Sequence, residues 1–287
     1  MFESVSNVPV DGIAVTAIGV AVIRARESER ADRLYEDPLA GAFVAAARAG
    51  FEAARWEQML TVADQFYEGR TVGVRLVDDR FREALARGIR QIVLLGAGLD
   101  TRAFRMGLPA ETAVFEIDLP ELFAFKEPVL RQAGAVPTCA RHVLIADLGG
   151  EWRNALLDGG FRPELPTFWV DEGTLGSLSR DWSRGVVRTL TDLSAAGSLF
   201  GTARFVTVPD GEPYRGLRRL VAGASEPAAK IPDGVPEFDA EGWLDDLGWA
   251  TEFRAWNDMV APLGRPVAVS DPGTGSIVAV RRSVSRP

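Results

Sequence analysis

An α/β fold built on a doubly wound, mostly parallel sheet is what this sequence predicts, and three observations carry the prediction. Short apolar runs alternate with helical segments between residues 91 and 208. The first of those runs ends in a glycine turn, Gly96-Ala97-Gly98. The next three end in acidic residues. Strand–helix alternation of this kind argues for parallel strands with crossover helices. In such sheets ligands sit beyond the carboxyl ends of the strands, so those ends are the places to read for function.

The elements follow in order. Residues 1–90 read as helical: "TAIGVAVIRARESER" passes from apolar to charged, Asp37-Pro38 punctuates, and "LAGAFVAAARAGFEAARWEQML" resumes with strong helix formers. In "VRLVDDRFREALARG" the helical repeat puts Val77, Phe81, Ala84 and Leu85 on one face and Asp78, Arg82 and Arg87 elsewhere, with Gly88 as the stop. The core spans 91–208, with strands predicted in "QIVLL", "TAVFEID", "HVLIAD", "PTFWVDEG" and "GSLFGTARFVTV". Helices are predicted between them in "LPELFAFKEPVLRQAG", "EWRNALLDGG" and "RDWSRGVVRTLTDLSAAG". Residues 209–240, rich in Pro and Gly, read as an irregular cap or substrate lobe. Residues 241–287 then supply a helix and the closing strands, the last in "GSIVAVRR". There is no internal repeat and no linker, so one domain is expected.

Bulk properties narrow the function. A length of 287 residues is enough for a full core. A net charge of −8 argues against a phosphate-backbone partner, because such affinity needs clustered Lys and Arg. A single cysteine, Cys139, excludes an intrachain disulfide and a cysteine-rich metal site, and fits a reducing compartment. "GIAVTAIGVAVI" lacks basic residues before it and a cleavage pattern after it, and is too short for a bilayer span. A cytoplasmic protein with a small-molecule substrate, and neither a nucleic-acid nor a membrane partner, is the expectation.

The glycine turn could serve a dinucleotide, a nucleoside triphosphate or S-adenosylmethionine. Small residues there let a ligand approach the backbone. "FEID" places Glu116 and Asp118 about twenty residues beyond it, the distance usual for an acid on a ribose hydroxyl. The third strand ends in Asp147 and Leu148, the fourth in Asp171, Glu172 and Gly173. A dinucleotide fingerprint needs a small third residue where this chain has Thr101, and Asp100 before it opposes a pyrophosphate. No phosphate-binding G-x-x-x-x-G-K-[ST] loop is present. Acids at successive strand ends suit a sulfonium cation better, so S-adenosylmethionine is favoured, with a dinucleotide oxidoreductase as the alternative. Each acid also has a structural reading: Asp147 as a turn former and Asp118 as a helix cap. Glu172 in an apolar strand end would need a partner to be structural, so function is favoured there.

"IVLLGAGLDTRAFR", "VFEIDLPELFAFK", "LIADL" with "EW", and "TAIGVAVIRARESERADRLYEDPLA" resemble the leucine carboxyl methyltransferase family, most closely its bacterial branch with polyketide O-methyltransferases. The resemblance runs from about Thr16 to about Val208. It implies a Rossmann-like class I methyltransferase fold with a seven-stranded sheet and an antiparallel C-terminal strand, and S-adenosyl-L-methionine as methyl donor. By position it implies Gly96, Ala97 and Gly98 beside the donor's amino-acid part, Asp118 on its ribose, Asp147 and Leu148 bracketing adenine, and Glu172 near its amino group. It also implies two basic residues near the donor's carboxylate. Arg24 matches the first. Arg75 keeps the register of the second, with Arg70 as a substitute if the loop shifts.

Gly176 and Ser177 replace bulkier family residues after Glu172, which suggests a roomier pocket or a different substrate orientation. Trp182, Tyr214, Trp243 and Trp249 are candidate pocket aromatics, with core packing as an equal reading for each. The only histidine, His142, opens the third strand, away from the site. No catalytic base and no metal site are assigned, although Asp171, Glu172 or Tyr214 could assist a hydroxyl. A carboxylate acceptor, which needs no base, is therefore preferred. The resulting expectation is an O-methyltransferase of secondary metabolism, with a non-methylating cofactor-binding protein as a further alternative.

Overall fold

A computed structural model describes residues 7–177, 179–204, 212–222 and 239–283. Its centre is a seven-stranded sheet of β1 (Gln91–Leu95), β2 (Ala113–Asp118), β3 (Ala140–Ile145), β4 (Thr167–Asp171), β5 (Leu199–Arg204), β6 (Trp249–Ala255) and β7 (Gly275–Arg281). The spatial order is β3-β2-β1-β4-β5-β7-β6. The first five strands pair in parallel; β7 inserts antiparallel between β5 and β6. β1 and β4 are buried along their whole length, as continuous apolar runs in the middle of a two-faced sheet must be. Chain order reverses between β1 and β4, which puts the switch-point crevice at their carboxyl ends.

Eleven helices are described. The N-terminal part holds α1 (Val15–Ser28), α2 (Ala40–Arg48) and the 34-residue α3 (Ala53–Ala86). Between the strands come α4 (Arg102–Arg105), α5 (Pro120–Gln132), α6 (Trp152–Asp158), α7 (Thr174–Ser177) and α8 (Arg180–Asp192), followed by α9 (Glu212–Ala222), α10 (Ala240–Asp246) and α11 (Trp256–Val260). Pro120 opens α5, where its missing N–H costs nothing, and the Ser179 hydroxyl caps α8 by accepting from the Trp182 N–H at 3.3 Å. One face of the sheet packs α6, α8 and Trp249 around Trp169 and Phe115. The other face meets Val77, Phe81 and Ala84 of α3. A third cluster joins α1, α2, the start of α3 and α5, so the N-terminal helices sit at the side of the glycine turn that Leu99 faces.

Three expectations change. "HVLIAD" stops being strand at Ile145, so Asp147 stands two residues past the strand rather than on its end. The stretch read as irregular contains α9, which packs on α3 and α1 with Leu220 buried in the third cluster. Residues 205–211 and 223–238 lie outside the described residues, and so does the remainder of the cap reading. Asp78, assigned off the apolar face of α3, is fully buried beside Val77 and Phe81. The periodicity was satisfied without it, because a paired acid can share an apolar face.

Candidate active site

The glycine turn is fastened to the neighbouring strand. Gly96 and Gly98 take φ of 69° and 52°, a region that side-chain-bearing residues rarely adopt. A side chain on Gly96 would also run into the Thr174 side chain, so α7 packs directly on the turn. The Gly98 N–H donates to Asp118 Oδ2 at 2.6 Å and the Leu119 N–H donates to Oδ1 at 2.7 Å. Asp118 therefore holds the turn and the entry to α5 together. Burial pushes its carboxyl up against those two donors, and the nearby Glu121 adds to the rise. A cavity of about 310 Å³ lies between residues 7–12, Ala14 and Glu121 at the start of α5.

Arg24 reaches the underside of the turn from α1. Its Nη2 donates to the Leu99 carbonyl at 2.6 Å, and its Nη1 lies 3.0 Å from Asp37 Oδ2. The Thr101 hydroxyl donates to the same Asp37 oxygen at 2.7 Å. Asp37 Oδ1 meanwhile accepts from the Leu39 and Ala40 N–H groups that open α2. The Arg24 Nε is buried with no partner among the described residues.

The largest feature is one that sequence reading missed. Arg102, 2 % exposed, donates to Asp78 Oδ1 at 2.7 Å, to Asp100 and to Glu172, and stacks on Phe81. Arg105 closes the other side of Asp78 with two contacts of 2.7 Å. Burial alone would raise the carboxyls of Asp78 and Asp100. The arginines outweigh it, and both are held below the usual carboxylate range. Asp100 thus faces Arg102 and not the mouth of the turn, so it does not by itself oppose a pyrophosphate. The charge balance of the whole cluster replaces that argument: three carboxylates against two guanidinium groups leave one formal negative charge. Glu172 is its outermost member, with 27 % of its side chain exposed, so the partner that a structural reading demanded does exist. A fully buried acid on the apolar face of α3 was the available signal, since it implied a buried cation elsewhere.

The other sequence-selected residues separate clearly. Glu116, grouped with Asp118 at the strand end, is sealed inside: Lys126 Nζ donates to it at 2.7 Å and Arg141 at 2.9 and 2.7 Å. Arg75 pairs with Asp79 at 3.0 Å and donates to the Leu34 carbonyl, on the outer side of α3. Arg70 instead donates to the Glu172 carbonyl at 3.2 Å, at the end of β4. Asp147 is exposed and accepts from the Gly149 N–H at 2.8 Å, the turn-former geometry, while Leu148 is buried in the core. Asp171 accepts from the Gly173 and Leu175 N–H groups and the Thr202 hydroxyl, which makes it the cap of α7. His142 stacks on Phe115 at 4.5 Å within the sheet.

Trp249 is core and donates to Thr191. Trp243 packs partly buried against the same core. Trp182 is 53 % exposed, its indole lying on Gly149. The side chains of Tyr214 and Ser177 lie outside the described residues. Gly176 has open space where a side chain would stand.

A family model for leucine carboxyl methyltransferase matches residues 17–191. The chain belongs to that family. A relative from Frankia alni, named a candidate S-adenosyl-L-methionine-dependent methyltransferase, is 38 % identical over 99 % of both chains. A Streptomyces coelicolor relative of the same description is 38 % identical, covering 94 % of this chain and 96 % of its own. Among solved structures, a DUF574 family protein from Streptomyces avermitilis shares the fold at a TM-score of 0.53 and 14 % identity, over 93 % of this chain and 97 % of that one. This leucine carboxyl methyltransferase family member is an S-adenosylmethionine-dependent methyltransferase of class I fold. Among the described residues no helix is long and apolar enough to cross a membrane.

Proposed function

We propose that this methyltransferase methylates an oxygen of a small-molecule acceptor, a carboxylate in the first instance, in secondary metabolism. The observation that carries the reading is the engagement of both acids at the end of β4. Asp171 caps α7 and Glu172 is tied to Arg102, so neither is placed as a free base. An acceptor that is already anionic needs none.

The donor site in this reading lies over β1 and β2. Gly96, Ala97 and Gly98 take the amino-acid part, Asp118 the ribose, and Asp147 with Leu148 the adenine edge. Glu172 faces the amino group, where the cluster's residual negative charge suits a cation. Arg24 takes the carboxylate, and its Nε, unpartnered among the described residues, fits a site with a further anionic contact to make. Arg70 replaces Arg75 as the second cation, because it reaches the end of β4. Bound S-adenosylmethionine supplies an electrophilic methyl on a cationic sulfur. The chain's residues fix that methyl in line with the acceptor oxygen and exclude water. The C–O bond forms as the S–C bond breaks, so a carboxylate gives a neutral ester and neutral S-adenosylhomocysteine.

Calorimetry checks the donor: S-adenosylmethionine should bind in the micromolar range and NAD should not. Transfer of labelled methyl to a panel of carboxylic acids, phenols and amines checks the acceptor. Alkali-labile methyl esters are expected. Transfer to amines alone overturns the oxygen reading, and transfer to phenols alone overturns the carboxylate.

A further inference from the structure

Arginine is the main cation of this chain, and its buried and half-buried copies are matched to carboxylates or, as for Arg55 and Arg281, to backbone carbonyls. Arg24 has Asp37 at 3.0 Å, Arg105 has Asp78 at 2.7 Å, Arg141 has Glu116 at 2.7 Å and Arg265 has Glu27 at 2.8 Å. Arg102 has three carboxylates. Arg80 breaks the pattern. It leaves α3 toward β5 and β7, and its one hydrogen bond among the described residues is to the Ser276 hydroxyl. Burial lowers its affinity for a proton and the neighbouring Arg254 lowers it further; Glu172 and Glu83 oppose the change without a contact. Glu83 is itself held by Arg254 and Arg87.

The surroundings make room for this guanidinium. Gly201 of β5 lies directly beneath it, and a Cβ there would stand 2.9 Å from Arg80 Nη1. Gly201 has no positive φ, so the missing side chain, rather than backbone freedom, is what the position uses. Ser276 pairs with Ala203, close to the carboxyl end of β5. Glu172, on the neighbouring β4, is bound by Arg102 from the β1 side. Arg80 lies on its β5 side. With the donor over β1 and β2, the acceptor has the ends of β4 and β5 left to it.

We propose that Arg80 is the anchor for the anionic oxygen group of the acceptor, so that the β4–β5 end forms a carboxylate-binding subsite. This rests on the oxygen-acceptor reading above. A partly desolvated cation with no carboxylate of its own among the described residues strongly prefers an anion to a neutral isostere. It keeps a carboxylic acid ionised inside the site, which is what a site without a placed base requires. The ester product is neutral and loses the ion pair, which favours its release.

The test uses the full chain saturated with S-adenosylhomocysteine, titrated calorimetrically with benzoate, phenylacetate and octanoate and with the amide of each. Wild type is expected to bind at least one acid more than tenfold tighter than its amide. Arg80→Met should shrink that ratio below threefold, Arg80→Lys should keep part of it, and Gly201→Ala should reduce it by displacing the guanidinium. S-adenosylhomocysteine affinity should stay within twofold throughout. No acid preferred over its amide by wild type, or a ratio unchanged in Arg80→Met, overturns the proposal. If Arg80→Met does not fold, the Arg80→Lys and Gly201→Ala ratios decide. Failure of the parent reading looks different: wild type then methylates only nitrogen, whatever its anion preference.

Discussion

Two buried charge clusters lie near the glycine turn, and they differ in charge balance. Around Glu116, two acids (with Glu127) meet two cations, Lys126 and Arg141, and both Glu116 and Lys126 are fully inaccessible. Around Arg102, three acids meet two cations, and the cluster opens at Glu172. Both are built from carboxylates and buried cations. A neutral cluster whose only exposed member, Glu127, is held by Arg141 has no excess charge to offer a ligand and serves to fix β2, β3 and α5 in register. A cluster one negative charge in excess, with one member at the crevice, can respond to a cation brought to it.

The most severe way to break the neutral cluster is Glu116→Gln, which strands Lys126 and Arg141 without their shared carboxylate. Unfolding should become easier by about 3–5 kcal/mol, the cost of removing one partner from a buried pair. Donor affinity measured on the folded fraction should change less than threefold. A loss of donor binding with stability intact would put Glu116 back in the site.

Acid pH acts on the open cluster. Asp78 and Asp100 have folded pKa values held down by Arg102 and Arg105. A depressed carboxyl contributes stability that is fully present above its unfolded value, near 4, and is lost as pH falls through the folded value. Asp118 and Asp171 are raised by burial and have the opposite sign: their charged forms cost stability at neutral pH. Asp78→Asn should therefore be less stable than wild type at pH 7, and the gap should begin to narrow only as pH falls below about 4. Asp118 should instead add stability as pH falls through its raised folded value, a gain that Asp118→Asn should lack. Denaturant curves across pH 3–7 distinguish the two.

Glu172→Gln probes the opening itself. Arg102 keeps Asp78 and Asp100, so the stability loss should be about 1 kcal/mol. Donor binding should weaken tenfold or more, because the one exposed charge of the cluster is gone. Equal losses in stability and binding would make Glu172 a structural partner only.

These contrasts also explain what the sequence could convey. The alternation of apolar runs and helices, and the glycine turn, are local signals, and they place every strand of the sheet. Glu116 and Asp118 illustrate the limit. They are two residues apart on the same face of β2, and only the arrival of Lys126 and Arg141 from α5 and β3 separates a sealed acid from one at the rim. Asp100 misled for the same reason: its partner Arg102 is two residues away, yet the pair is fixed by Asp78 on α3 and Glu172 after β4. Charge pairing across elements has no local pattern to read.

Helix phase is the remaining ambiguity, and it gives the smallest and sharpest prediction. Arg70 and Arg75 are five residues apart on α3, about 500° of rotation, so they leave the helix on clearly different sides. Arg75 is matched by Asp79 and turned outward; Arg70 donates to the Glu172 carbonyl. Arg75→Ala should cost no more than about 0.5 kcal/mol, as for an exposed i,i+4 pair, and leave donor KM unchanged. Arg70→Ala should raise donor KM about three- to tenfold with kcat little affected, since a carboxylate contact remote from sulfur is made equally in ground and transition states. If Arg75→Ala raised KM and Arg70→Ala did not, α3 would have to be rotated relative to the strand ends, and the placement of Asp78 against Arg102 would fall with it.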